Sequence, residues 1–375
     1  MVLSIISEAV KRLASFRHDR SHWVACAYRE ESNVERGTFD GNELERCRFL
    51  IALQYHCVAE DEEFVRFLFD QEVIARQRDS FQGCGDSLRL ASYLLSRSNS
   101  PSDFWRFAEA KFANFDTLCG YDAQFLLSAG VESALSAFTA SEHPLKEEVE
   151  KLLFDEHGTC RFSMEDMSEW RRQLGEYFPG CVHAESVRVW IDRSIVFQCL
   201  DEGRALLDEW ELSQPNEPMS SLRDLRQALG DFTNAIEKQQ VILRDAKDTW
   251  DRVSAALTLA NLHMEVDQPV RAWAVIAAHS TFLGQIEGWE QVGLGRMLVK
   301  TAFDVAKAVP IHAASQAAFD WACDHESQLQ STTLEILQTA VRAADAIGDE
   351  RRSARFREAA VAEQARIAEM MKQIP

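Results

Sequence analysis

Apolar residues recur at intervals of three and four along almost the whole chain, as in Leu44, Phe49, Leu50, Leu53 and Cys57, and again in Phe64, Phe67, Leu68, Val73 and Ile74. That spacing draws an apolar stripe down one side of a 3.6-residue helix, whereas strand-like alternation over five or more residues is hard to find. Only 16 Gly and 8 Pro interrupt the 375 residues, about half the usual share, so helices are seldom broken. The 46 % apolar and 10 % aromatic residues suffice for a core and exclude disordered, collagen-like and low-complexity chains. Breaks at residues 37–42, 59–62, 83–86, 98–103, 119–122, 143–144, 158–160 and 179–183 leave segments about one helix long. Ser100 with Asp103, and Ser163 with Asp166, read as helix starts whose oxygens meet the free amides of a first turn. The expected fold is all-α, with antiparallel helical hairpins stacked as an α-solenoid.

The formal charge is −20, from 40 Lys and Arg against 60 Asp and Glu. Divided at residue 215, it is −15 before and −5 after. Such a field repels phosphate backbones and anionic lipid, so direct nucleic-acid or membrane-surface binding is not expected, while a basic partner would be attracted. The nine cysteines are irregularly spaced and odd in number, which fits buried free thiols in a reducing compartment. The apolar run at residues 1–10 is broken by Ser4, Ser7 and Glu8 and precedes Lys11 and Arg12, the reverse of a secretory signal. No window approaches eighteen uncharged apolar residues, so no bilayer span is expected and the cytoplasm is the default location.

Residues 211–221 hold two prolines and no periodic apolar face, which places a boundary near residue 216. The reading is an acidic helical domain over 1–215 and a second domain over 216–375. The second opens on Leu229-Gly230-Asp231-Phe232-Thr233-Asn234-Ala235-Ile236, a tight turn followed by a small residue where two helices approach closely. Asp267, Gln268, Pro269, Val270, Arg271 and Ala272 form a second such junction, with Leu259, Ala260 and Ile276 as its packing residues. A third falls at Val309-Pro310 with Ala314, and a fourth at Gly348-Asp349 with Ser353. The small residues are 37, 42 and 39 positions apart. This pattern resembles the junctions of tetratricopeptide repeats, whose period is about 34, over residues 216–367. Trp250 stands ten rather than eight residues before Ala260, so first-helix packing departs from the family there. The resemblance implies a groove lined by first-helix residues, which are Asp224 and Gln227 in the first repeat and Asn261, Met264 and Glu265 in the second. Residues 351–372, rich in Ala with Arg352, Arg355, Arg357 and Arg366, read as a capping helix.

The chain has no Gly-x-x-x-x-Gly-Lys-Ser/Thr loop, His-Glu-x-x-His, Gly-x-Ser-x-Gly or kinase signature, which argues against the chemistries those motifs support. Neither a metal nor a cofactor is expected. A zinc site, were there one, would use His157, Cys160, Cys181 and His183, a set that zinc accepts, although one residue between Cys181 and His183 strains joint coordination. The simpler reading is loop histidines and packed thiols. His18, His22 and Cys26 would share one face of a continuous helix, with Trp23 and Tyr28 marking where it docks. Residues 115–122 gather Asp116, Cys119, Tyr121 and Asp122, which have acid–base capacity, but Gly120 as a helix stop and Asp122 as a start explain them without chemistry. The acidic runs at residues 60–63 and 147–150 read as solvated helix starts.

The function expected is non-enzymatic: an adaptor or regulator that holds a protein or peptide, basic if charge decides, in a helical-repeat groove. An immunity-type protein neutralising a basic toxin is a narrower form of the same reading. The rival is an enzyme or zinc protein with its site on the N-terminal helices.

Overall fold

In the computed structural model the described residues are 4–80, 83–310 and 312–372; Met1, Val2 and Leu3 of the N-terminal apolar run lie outside them. The chain is all-α and its helices pack pairwise on their sequence neighbours. It forms two compact units, residues 1–199 and 200–375. Among the described residues no helix is long and apolar enough to cross a membrane.

The first unit contains α1 (Ser4–His18), α2 (Glu43–His56), α3 (Glu62–Arg78), α4 (Asp86–Ser96), α5 (Phe104–Lys111), α6 (Phe115–Gly120), α7 (Val131–Ala140), α8 (Lys146–Leu153), α9 (Met164–Tyr177) and α10 (Val187–Val196). α1 packs on α2, α3 on α4, and α2 on α4. Aromatic side chains dominate the core: Phe16 meets Phe49 at 4.2 Å between ring centres, and Phe107 meets Phe125 at 5.8 Å. One antiparallel hairpin, β1 (Glu30–Asn33) with β2 (Gly37–Asp40), interrupts the helices between α1 and α2. Strands of four residues are too short for periodicity to reveal, so the sequence shows this segment only as a break.

The second unit contains α11 (Leu200–Ser213), α12 (Met219–Ala228), α13 (Phe232–Asp245), α14 (Thr249–Glu265), α15 (Pro269–Leu283), α16 (Gly293–Ala308), α17 (Ala313–Glu326), α18 (Leu334–Ile347) and α19 (Glu350–Met371). Consecutive helices pair, α14, α16 and α18 touch in series, and α15 touches α17, so the helices form two layers. The proline-bearing residues 211–221, read from sequence as a domain boundary near 216, instead link α11 to α12 inside this unit. Arg226 on α12 is paired there with Asp208 and Glu211 on α11, which ties the helices on either side of the linker together.

Three of the four junctions share one backbone device. Gly230, Asp267 and Gly348 adopt φ of 70°, 54° and 79°. The amide after each returns five residues to close the preceding helix: Asp231 to Arg226 at 2.8 Å, Gln268 to His263 at 2.8 Å and Asp349 to Ala344 at 2.9 Å. This is a Schellman end, which needs a left-handed residue; glycine takes it freely and Asp tolerates it. Five residues beyond each lies a fully enclosed small side chain, namely Ala235, Ala272 and Ser353. The same device, unseen in the sequence, closes α10, where Gln198 has φ 57° and Cys199 N–H returns to Ser194 at 2.8 Å. At the third junction Val309 has φ −131° and the buried residue is Ala314, so Pro310 stops the helix there without a left-handed turn.

Enlarging such a residue forces packed backbones apart. Ala272→Leu is expected to cost about 1–3 kcal/mol, read as a lower thermal midpoint, whereas the same change at exposed Ala362 should leave it unmoved.

Candidate functional site

A cleft of about 630 Å³ opens in the first unit, walled by α2, α4, the end of α9 and α10. α2 presents Glu43, Leu44, Cys47 and Ile51 to it, α4 presents Asp86, Ser87 and Leu90, and α10 presents Val189, Asp192, Arg193 and Val196. On each helix these residues sit three or four apart, so one face lines the cleft. Tyr177, Phe178 and Pro179 close it where α9 ends. Three of its apolar side chains remain open to solvent, with Leu44 45 %, Tyr177 55 % and Val196 51 % exposed.

A polar clamp holds the wall in place. Arg193 donates to Tyr55 Oη at 2.7 Å and to Gln54 Oε1 at 3.0 Å. Tyr55 in turn donates to Glu185 at 2.7 Å, and Gln54 Nε2 donates to the Pro179 carbonyl at 3.0 Å. These bonds bind α2 to α10 and to residues 179–185. Burial pushes the Tyr55 hydroxyl well above its ordinary range, so it stays protonated and keeps donating.

Behind α2 lies a second network with no solvent contact. The guanidinium of Arg46 meets Asp40 and Glu72 at 2.6 Å each, and all three side chains are fully enclosed. Ser87, which also faces the cleft, donates to Glu72 at 2.7 Å. Burial opposes ionisation of Glu72, but Arg46, Arg76 and Ser87 together outweigh it and hold its carboxyl below the ordinary range. The network anchors β2 to α2 and α3 through charge-assisted bonds.

Chemically, the cleft is equipped to bind. Its thiol, Cys47, is pushed by burial up to about 12, leaving a neutral thiol at pH 7 rather than a thiolate nucleophile. Its lining includes neither histidine nor lysine. All nine cysteines are free, and burial also raises Cys26 and Cys323 to about 12, whereas Cys119 and Cys181 are exposed.

The residues singled out from sequence are dispersed. His157 is exposed beside Glu156, Cys160 lies in an isolated bridge with Phe154, and Cys181 and His183 are exposed on and beside the short turn Val182–Ala184. Among the described residues no three His, Cys, Asp or Glu side chains are grouped to hold a metal ion. His18, His22 and Cys26 do not share a helical face, because α1 ends at His18 and Asp19 caps a separate 3₁₀ segment, Arg20–Cys26. Trp23 does dock, donating to the Phe16 carbonyl at 2.8 Å.

In the 115–122 turn, Tyr121 is enclosed and donates to Ser92 at 2.7 Å, while Asp122 accepts from Trp170; both serve packing. Asp61, read as part of a solvated acidic start, is fully enclosed and held by Arg17 at 2.7 and 2.8 Å.

Of the groove residues, Asp224, Gln227 and Glu265 are exposed, and Asp224 pairs with Arg223. Asn261 instead accepts from Thr301 at 3.0 Å, and Met264 packs against the core. Both lie where α14 meets its neighbours, so layer packing uses them.

The cleft is not visible in the sequence. Its residues come from four helices spread across residues 43–197, and each stripe looks like ordinary core until the exposure of Leu44, Tyr177 and Val196 is known. An all-α chain of helical hairpins with an apolar cleft is the class these observations define. Compared with known proteins, the chain matches no family model, and no curated protein is similar to it in sequence.

Proposed function

We propose that this protein is a non-enzymatic adaptor or regulator that holds a segment of a partner protein. The observation that carries this reading is the cleft, which leaves large apolar side chains open to water beside a neutral thiol. Exposed apolar surface collected in one concavity favours an occupant. The Schellman ends followed by enclosed small residues support the likeness of the second unit to tetratricopeptide repeats. There Asp224, Gln227 and Glu265 are available for further contacts. The acidic charge disfavours nucleic acid and anionic lipid as partners, and nine unpaired thiols suit the cytoplasm.

Selection of a displayed random-peptide library on the intact protein tests the proposal. Ala184 is exposed on the cleft wall, so Ala184→Trp fills the mouth without entering the core. Enriched peptides are expected to lose at least tenfold in affinity for Ala184→Trp while its melting temperature is retained. No enrichment, or enriched peptides indifferent to the substitution, would overturn the reading.

A further inference from the structure

Resting on the interaction reading above, we infer that the cleft is built for a peptide segment in which large apolar side chains stand beside lysine or arginine. Leu44, Ile51, Leu90, Phe178 and Val196 supply an apolar lining, and the volume of about 630 Å³ lies within the usual range for ligand pockets.

The charge of the lining sets the chemistry of what enters with those apolar groups. Glu43, Asp86, Glu176, Glu185 and Asp192 line the cleft, against Arg193 as the one cation. Arg193 is already engaged by Tyr55, Gln54 and Glu185, so the lining itself offers no uncommitted guanidinium to an anionic group; Arg48 and Arg89 stack on the Phe197 and Tyr177 rings that border it. Glu185 is likewise occupied within the clamp.

Glu43 is held by Arg76 at 3.4 Å, which leaves Glu176, Asp192 and Asp86 open to a newcomer. Glu176 pairs with Arg172 and Asp192 with Arg188, each four residues away on the same helix and exposed, and neither arginine lines the cleft. Such pairs are weak and exchange readily. Asp86 is exposed at the start of α4 and has no ion pair among the described residues. A lysine or arginine entering beside an apolar anchor meets carboxylates at the rim while the anchor leaves water. A glutamate or phosphate there meets like charge, which opposes binding and sets partner choice.

Three synthetic dodecapeptides test this on the full chain by fluorescence anisotropy. They share the same leucines and phenylalanine, with the intervening positions all Lys, all Ser or all Glu. The Lys peptide is expected to bind at least tenfold more tightly than the Glu peptide, with an affinity that falls as salt rises. The double substitution Asp86→Lys with Asp192→Lys should invert that order. Glu147→Lys, at an exposed position of α8 outside the lining, should not, which separates the cleft from the general acidity of the chain. A Lys preference that survives the double substitution, or a Glu peptide that binds as tightly as the Lys one, overturns the charge inference. If Lys and Ser peptides bind equally and Ala184→Trp expels both, the interaction reading stands and this inference falls. If Ala184→Trp alters none of them, both fall.

Discussion

Arg46→Ala should destabilise the first unit by about 3–5 kcal/mol, the range for removing one partner of a buried ion pair. Its guanidinium is the common partner of Asp40 and Glu72, and no solvent reaches any of the three. Alanine leaves two carboxylates enclosed without their principal cation, a larger penalty than losing the attraction itself. Chemical denaturation should show an early transition, with amide protection lost first in β2 and α2. The triple substitution Asp40→Asn, Arg46→Met and Glu72→Gln, which removes the charges together, should recover most of the loss.

Acid probes the same network. The folded carboxyl of Glu72 is held below its ordinary 4.5, so the unfolded chain takes up the proton first as pH falls. The stability it contributes is complete above that ordinary value and disappears as pH drops through the folded one. Glu72→Gln should therefore flatten the acid limb of stability, measured by urea denaturation between pH 7 and pH 3. An unchanged slope would show that the network contributes nothing to acid sensitivity.

The second large effect is expected in the other unit. Phe303 on α16 is fully enclosed, with Phe319 at 5.8 Å and Phe356 at 5.6 Å between ring centres. It joins α16 to α17 and to the terminal helix α19, whose enclosed residues are Ser353 and Phe356. Phe303→Ala removes a ring that neighbours on two helices cannot replace, and should cost about 3–5 kcal/mol. The loss should appear as a lower urea midpoint for residues 200–375, with little change in hydrogen exchange of α2 and α3. An effect below about 1 kcal/mol would mean that the surrounding helices close over the void.

Helices were legible in the sequence because three-and-four spacing of apolar residues is a local property. The junctions at Gly230, Asp267 and Gly348 were legible too, since a left-handed residue and a small residue five positions on are both visible in order. Gln198 escaped because glutamine does not advertise positive φ. The cleft escaped for another reason: Leu44, Leu90, Tyr177 and Val196 are ordinary stripe residues individually, and only tertiary packing decides which stripes are left uncovered. The Arg46 network hid similarly, because Asp40, Arg46 and Glu72 read as common surface charges until β2 and α3 enclose them. Asn261 and Met264, positions inferred from family likeness, also take part in the layer contact between helices.

The graded environments of the thiols have a practical consequence. Cys26 belongs to one unit and Cys323 to the other, both buried and resisting deprotonation in the fold, while Cys119 and Cys181 stand in solvent. A brief pulse of alkylating reagent at rising urea would therefore label the two outer thiols at once and the inner two only as their surroundings melt. Mass spectrometry of the tagged peptides would then follow each half of the molecule separately, with no engineered reporter.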